Sequence, residues 1–266
     1  MRSRRHVRRL RVLLFLLLCA VDSSFAAEAP EAAGPFPVGE NLTYRIYWGV
    51  IPVGKTIITT DWVEEGGRRL IRIRLRTRTN KWMDRIHKID DDVISVVEPG
   101  TLLPVRSVEW VHDKDRNAEE MTRFDHANRA AYWQSTLDGR TSNYVIEADT
   151  REIVSFLYFM RTKELNPGEE ALVTVAAFQT LHSMRLHAES VEDVDLAKYG
   201  DIPCLVVRPE AVNAGLFARK APQRAWVSRD ERRLVARMDA KVVVGTVRIV
   251  LCDVEGPGDD FWVTKR

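Results

Sequence analysis

Beyond residue 36 the chain alternates apolar and polar positions with a period of two, the mark of strands whose side chains point in turn to opposite faces. Asn41–Trp48 puts Leu42, Tyr44, Ile46 and Trp48 on one face. Residues 55–63 run through Ile57, Ile58 and Trp62 into the turn signal Glu65-Gly66-Gly67. Residues 69–78 alternate most strictly: Ile71, Ile73 and Leu75 face one way, Arg72, Arg74, Arg76 and Arg78 the other. Further strands are predicted over 85–97, 105–112, 119–124 and 129–134, and again over 171–178, 183–191, 203–209, 224–228, 234–244 and 246–255. Turn-forming clusters such as Pro99-Gly100, 125–128 and Asp138-Gly139 separate them. Gly245, between two valine-rich runs, reads as a bulge, bend or tight turn.

One segment follows another period. Over 150–163 the apolar residues Ile153, Phe156, Leu157 and Met160 fall at i, i+3, i+4 and i+7, which predicts an amphipathic helix. Asp149 with Glu152 makes a capping-box-like start, and Asn166-Pro167-Gly168 a stop. About a dozen short strands and one helix predict an all-β fold: a strongly curved antiparallel sheet or barrel, with the helix plugging an end or face. The interior offers no linker and no internal repeat, so residues 36–256 read as one β-rich domain, followed by a short tail over 257–266.

The first 26 residues read as a secretory signal peptide. Six arginines between Arg2 and Arg11 precede an apolar run, Val12 to Val21, and Ser24-Phe25-Ala26 supplies small residues for cleavage. That run is about half of the ~20 residues a spanning helix needs, which favours cleavage over a retained anchor. Cys19 follows Leu18, where lipid attachment wants a small residue. Residues 27–35 read as a flexible leader.

Cleavage changes the charge. The whole chain carries 40 Lys+Arg against 38 Asp+Glu, a net +2. Losing six arginines and Asp22 leaves 34 against 37, a net −3, which argues against a nucleic-acid partner. Two cysteines remain, Cys204 and Cys252. In an oxidising compartment they form either one disulfide or two buried thiols, and they are too few for a thiolate metal centre.

Catalytic signatures are missing: no G-x-S-x-G, Walker loop, dinucleotide glycine pattern or H-E-x-x-H occurs. His182 and His187 are five apart, on opposite strand faces, and no metal or other cofactor is expected. Asp90-Asp91-Asp92 lacks the spacing and glycine of a calcium loop and reads as a solvated strand face. The row Arg72, Arg74, Arg76 and Arg78 is the candidate ligand-binding feature, a set of guanidiniums able to grip anionic lipid headgroups or an acidic glycan. The alternative is that cross-strand acids, Glu64 or Asp90–Asp92, neutralise it on a wet outer face. The seven tryptophans lie mostly in strands, where packing is their default.

Phe36-x-x-Gly39-Glu40-x-Leu42-x-Tyr44, with Gly49 and Gly54, resembles the opening of an exported bacterial family known as domain of unknown function 3108. The resemblance continues at Pro104, Phe124-Asp125, the helix residues Ser155, Tyr158 and Arg161 with Gly168, and Trp226-x-Ser228-x-Asp230-x-Arg232. Arg229 and Leu234 depart from the family's acid and proline. The resemblance implies an antiparallel β-fold in an envelope protein and no catalytic residues. Gly39, Glu40, Arg161 and Asp230 then read as architectural, with Glu40 and Arg161 expected to pair within about 4 Å.

The expectation is an exported protein of the periplasm or outer-membrane periphery. It would be non-catalytic, without a transmembrane span once the signal is gone, and would bind or scaffold an apolar or anionic envelope component, lipid or glycan. The competing class is a glycan-active hydrolase or lyase with paired carboxylates in an aromatic-lined cleft.

Overall fold

The structure, a computed structural model, describes residues 36–113, 116–212, 223–241, 245–257 and 262. Within them the chain forms β1 (Asn41–Trp48), β2 (Ile51–Glu65), β3 (Arg68–Thr79), β4 (Asp90–Val97), β5 (Pro104–Asp113), β6 (Arg116–Asp125), β7 (Ala130–Ser135) and β8 (Thr141–Val145). A two-residue β9 (Arg151–Glu152) leads into the helix α1 (Ile153–Met160). Then come β10 (Glu170–Ala177), β11 (Thr180–Leu196), β12 (Gly200–Ala211), β13 (Arg224–Ser228), β14 (Val235–Lys241) and β15 (Thr246–Glu255).

All belong to one curved sheet in the order β8-β7-β6-β5-β4-β3-β2-β1-β15-β14-β13-β12-β11-β10-β9. Hairpins carry the chain outward from β1 to β8 and back inward from β10 to β15. The seam in the middle joins the first strand to the last, from Asn41↔Glu255 to Trp48↔Val247. Every pair is antiparallel except β9 with β10, where α1 supplies the crossover that parallel strands need. The two sheet ends curl toward each other: Phe124, Ala131 and Ile146 from the β6–β8 side pack with Ala176 of β10 in one buried cluster.

The curl wraps the helix. Val154 and Tyr158 pack on Ile71, Ile73, Leu75, Val93 and Val97, whereas Phe156 packs on Val173, Val175, Leu186, Leu205 and Val207. The single apolar stripe expected from the sequence is therefore incomplete, because both sides of α1 meet the sheet. A helix of eight residues is too short to persist alone in water, so this burial holds it. It lies inside the predicted 150–163 span but starts later. Arg151 and Glu152 are extended against Val175 and Ala176, so the cap is Glu152 rather than Asp149. Its carboxylate accepts from the backbone N–H of Val154 at 2.7 Å and of Ser155 at 2.6 Å, and from Ser95 Oγ at 2.7 Å.

Other departures are local. The predicted strand from 85 begins only at Asp90, after a 3-10 turn at Met83–Arg85. β8 and β9 carry too little apolar alternation to read from sequence. Cys204 and Cys252 are free thiols, so the disulfide alternative is corrected. Cys204 on β12 lies three strand spacings from β15, roughly 14 Å, twice what a disulfide spans between Cα atoms. No helix among the described residues is long and apolar enough to cross a membrane.

Candidate functional site: an arginine face, a buried ion knot and an apolar rim

The four arginines of β3 share its outer face, opposite the buried Ile71, Ile73 and Leu75. Register places carboxylates beside them. Arg72 faces Asp61 across the β2 ladder and pairs with it through two bonds, Nε–Oδ1 at 2.9 Å and Nη2–Oδ2. Arg74 reaches diagonally to Asp92 at 3.1 and 2.7 Å. Asp90 takes Arg78 at 3.0 Å and Arg76 at 3.6 Å. Asp61 rather than Glu64 completes the row, and an incoming anion meets carboxylates already in place. Each such partly exposed pair is worth about 0–1 kcal/mol, so the row is a compensated surface more than a source of stability.

Several of the residues behind the family resemblance, scattered in sequence, meet at one end of the strands: Glu40, Tyr158, Arg161, Asp230 and Arg232. Glu40 is fully buried just before β1. Its Oε1 accepts from Tyr158 Oη at 2.9 Å and from Arg161 Nη1. Oε2 accepts from Arg161 Nη2 at 3.0 Å and from Arg232 Nη2 at 3.4 Å. Arg161 Nε donates to the Arg232 carbonyl at 3.1 Å, and its guanidinium lies 5.2 Å from the Phe36 ring centre. Asp230 holds the turn: one oxygen accepts from Arg232 N at 2.9 Å, the other from Trp262 Nε1 at 2.8 Å. Gly39, at φ +105°, turns the chain into the knot, and its N–H donates to Thr60 Oγ1 at 3.0 Å.

The knot thus ties β1, the end of α1 and the β13–β14 turn together. Burial opposes the charge on Arg161, but Glu40 outweighs it and raises the guanidinium pKa further. Burial pushes the Tyr44 and Tyr158 hydroxyls well above their ordinary value. With four donors on two oxygens, the Glu40 carboxylate has no lone pair left for a substrate. The arrangement suits an anchor, not an acid–base catalyst.

The opposite rim was not anticipated from the sequence. Of the eleven exposed large apolar side chains among the described residues, seven sit at hairpin ends on this one side. Val50 and Ile51 cap the β1–β2 hairpin, Trp82 and Ile86 lie on the β3–β4 connection, and Leu137 is on the β7–β8 turn. Phe178 and Val212 end the β10–β11 turn and β12. Turns at the knot end are polar instead, such as Glu65-Gly66-Gly67-Arg68 and 125–129. The signal was available: bulky apolar residues at turn positions, where polar ones are the default.

Among the described residues no group of three or more His, Cys, Asp or Glu side chains is arranged to hold a metal ion. His187 sits between Glu170 at 2.7 Å and Glu210 at 2.9 Å, and His126 Nε2 lies 3.0 Å from the Pro104 carbonyl.

The fold is similar to a crystal structure from Brucella abortus described as a β-barrel-like protein of domain of unknown function DUF1849. The TM-score is 0.54 at 9% identity, over 83% of this chain and 98% of that one. A DUF1089 family protein from Pseudomonas aeruginosa aligns over 82% of this chain and 95% of its own, with TM-score 0.31 and 12% identity. No curated protein is similar enough in sequence to count as a relative. The model of the family described as protein of unknown function (DUF3108) matches residues 43–251, from within β1 to within β15, and the chain belongs to that family.

Proposed function

We propose that the protein works in the bacterial cell envelope, in the periplasm or at the outer-membrane periphery. There it would bind or scaffold an apolar or anionic envelope component, lipid or glycan, without catalysing a reaction. The observation that carries this reading is the uneven surface: one end of the strands is closed by a saturated ion knot, while the other exposes bulky apolar side chains. Large apolar side chains gathered in the open at one end of a fold mark a contact with something apolar. The arginine-rich leader supports export, and the compensated arginine face supports a surface that meets charged surroundings without binding one anion tightly.

The test is mass spectrometry of whatever stays with the protein when it is purified gently from the envelope fraction of the cells that make it. Lipid or saccharide retained in near-stoichiometric amount is the expected result. A protein that emerges free of both, and takes up neither on incubation with envelope extract, refutes the reading.

A further inference from the structure

Two neighbouring connections dominate the apolar rim and are built as one unit. Asn80 N–H donates to the Val53 carbonyl at 2.8 Å, and Asn80 Nδ2 donates to the Pro52 carbonyl at 2.7 Å. Asn80 Oδ1 in turn accepts from Met83 N at 2.9 Å. The β1–β2 hairpin end and the 80–88 connection are thus stitched together. Val50 (89% exposed), Ile51, Trp82 and Ile86 (57% exposed) stand on this stitched end. Among the described residues Trp82 is the one exposed tryptophan.

Basic side chains outnumber acids three to one on the 80–88 connection. Lys81, Arg85 and Lys88 are all exposed and form no ion pair with another described residue. The one acid of residues 80–88, Asp84, accepts a hydrogen bond from Thr79 Oγ1 at 2.5 Å. Aliphatic and indole groups at the apex with cations around them match a bilayer interface. There the indole sits at headgroup depth and basic stems reach phosphates while their methylenes stay apolar. A purely apolar protein groove would force three cations out of water, whereas an anionic membrane welcomes them. Phe178 and Val212 stand on the same side of the strands, where Val212 N–H donates to the Ser183 carbonyl of β11 at 2.8 Å.

We infer that this end of the sheet docks on an anionic phospholipid bilayer. Val50, Ile51, Trp82 and Ile86 enter the interface, and Lys81, Arg85 and Lys88 lie among the headgroup phosphates. The inference rests on the envelope reading above and names both the component and the surface that meets it.

The test uses the protein as the cell processes it, mixed with vesicles of phosphatidylcholine alone or with phosphatidylglycerol added. Bound protein is read by sedimentation, and Trp82 depth by quenching from brominated acyl chains. The expected result is at least tenfold stronger binding to the anionic vesicles. Lys81→Gln, Arg85→Gln and Lys88→Gln together should weaken it by about a hundredfold, roughly fivefold per cation. Trp82→Phe should remove most of the bromine quenching while leaving the thermal midpoint unchanged. Because any retained leader is common to all variants, the differences report on this end alone. Equal binding to both vesicle types, a triple variant that binds like the parent, or quenching that survives Trp82→Phe each overturns the inference. So does a concentration-dependent dimer abolished by the same variants, which would assign the surface to a second copy. Lipid retained on purification with no effect of these variants would sink the docking surface and leave the envelope reading standing. Docking as described, with nothing retained or taken up, would do the reverse.

Discussion

Replacing Glu40 by Gln is the sharpest probe of the knot. The change keeps the shape, removes the carboxylate charge that Arg161 and Arg232 share, and leaves both guanidiniums buried, at 6% and 7% exposure. The amide also turns one acceptor oxygen into a donor that faces a guanidinium. Breaking a buried ion pair from one side costs about 3–5 kcal/mol, because the stranded charge has no solvent. For a chain of this size each kcal/mol moves the thermal midpoint by roughly 2–4 °C, so the variant should melt about 6–20 °C lower. Near-UV circular dichroism in a thermal ramp and in urea reads the loss. Tyr158→Phe removes a single bond to the carboxylate, made at 2.9 Å, and should cost about 1.5–3 kcal/mol. Arg72→Gln, on the compensated outer face, should cost no more than about 1 kcal/mol. If Glu40→Gln lost under 1 kcal/mol, or no more than Arg72→Gln, the claim that the knot anchors three segments would be wrong.

Other expectations follow from single contacts. A methyl group at Gly54 would lie 2.5 Å from the Arg78 carbonyl oxygen, so Gly54→Ala should destabilise by about 1–3 kcal/mol in urea unfolding, as backbone must shift. Burial pushes the Cys204 thiol up to about 12, leaving about one part in ten thousand as thiolate at pH 8; iodoacetamide with mass spectrometry should find it unmodified in the folded chain and modified in urea. Burial works to raise the Asp239 pKa, but hydrogen bonds from Arg237 and Arg248 prevail and hold it below the ordinary 3.8. A depressed carboxylate stabilises the fold above its unfolded pKa and loses that contribution as pH falls through the folded value. Asp239→Asn should therefore be less stable than the parent at neutral pH, with the gap closing below about pH 4 in acid titrations of stability; a gap that widened on acidification would refute the assignment.

Most of the architecture was legible because its signal is local. Alternation marked Asn41–Trp48 and the arginine strand, since a pleated ribbon half buried on one face must alternate. The helix showed through its change of period, but its start did not. Whether Arg151 and Glu152 extend or coil depends on the partner strand β10, which no window around them contains. β8 and β9 escaped for the same reason: they are held by neighbours, not by their own apolar content. For the candidate sites, the resemblance supplied Glu40, Arg161 and Asp230 as a set. Their meeting with Tyr158 and Arg232 is a property of three segments more than sixty residues apart. Asp61 as the partner of Arg72 needed the β2–β3 register. Most of the apolar rim needed only the knowledge that residues 49–50 and 80–88 connect strands, whereas the sequence pattern predicts a strand already from residue 85.

The seam between β1 and β15 sets an order of assembly. Strands β1 to β8 can zip up hairpin by hairpin as the polypeptide emerges, yet β1 keeps one bare edge until residues 246–255 are delivered. An open edge recruits whatever strand arrives first. A chain cut short before Thr246 would therefore have the whole amino-terminal meander and still present an adhesive flank, making aggregation the natural fate of any product that stalls near its end.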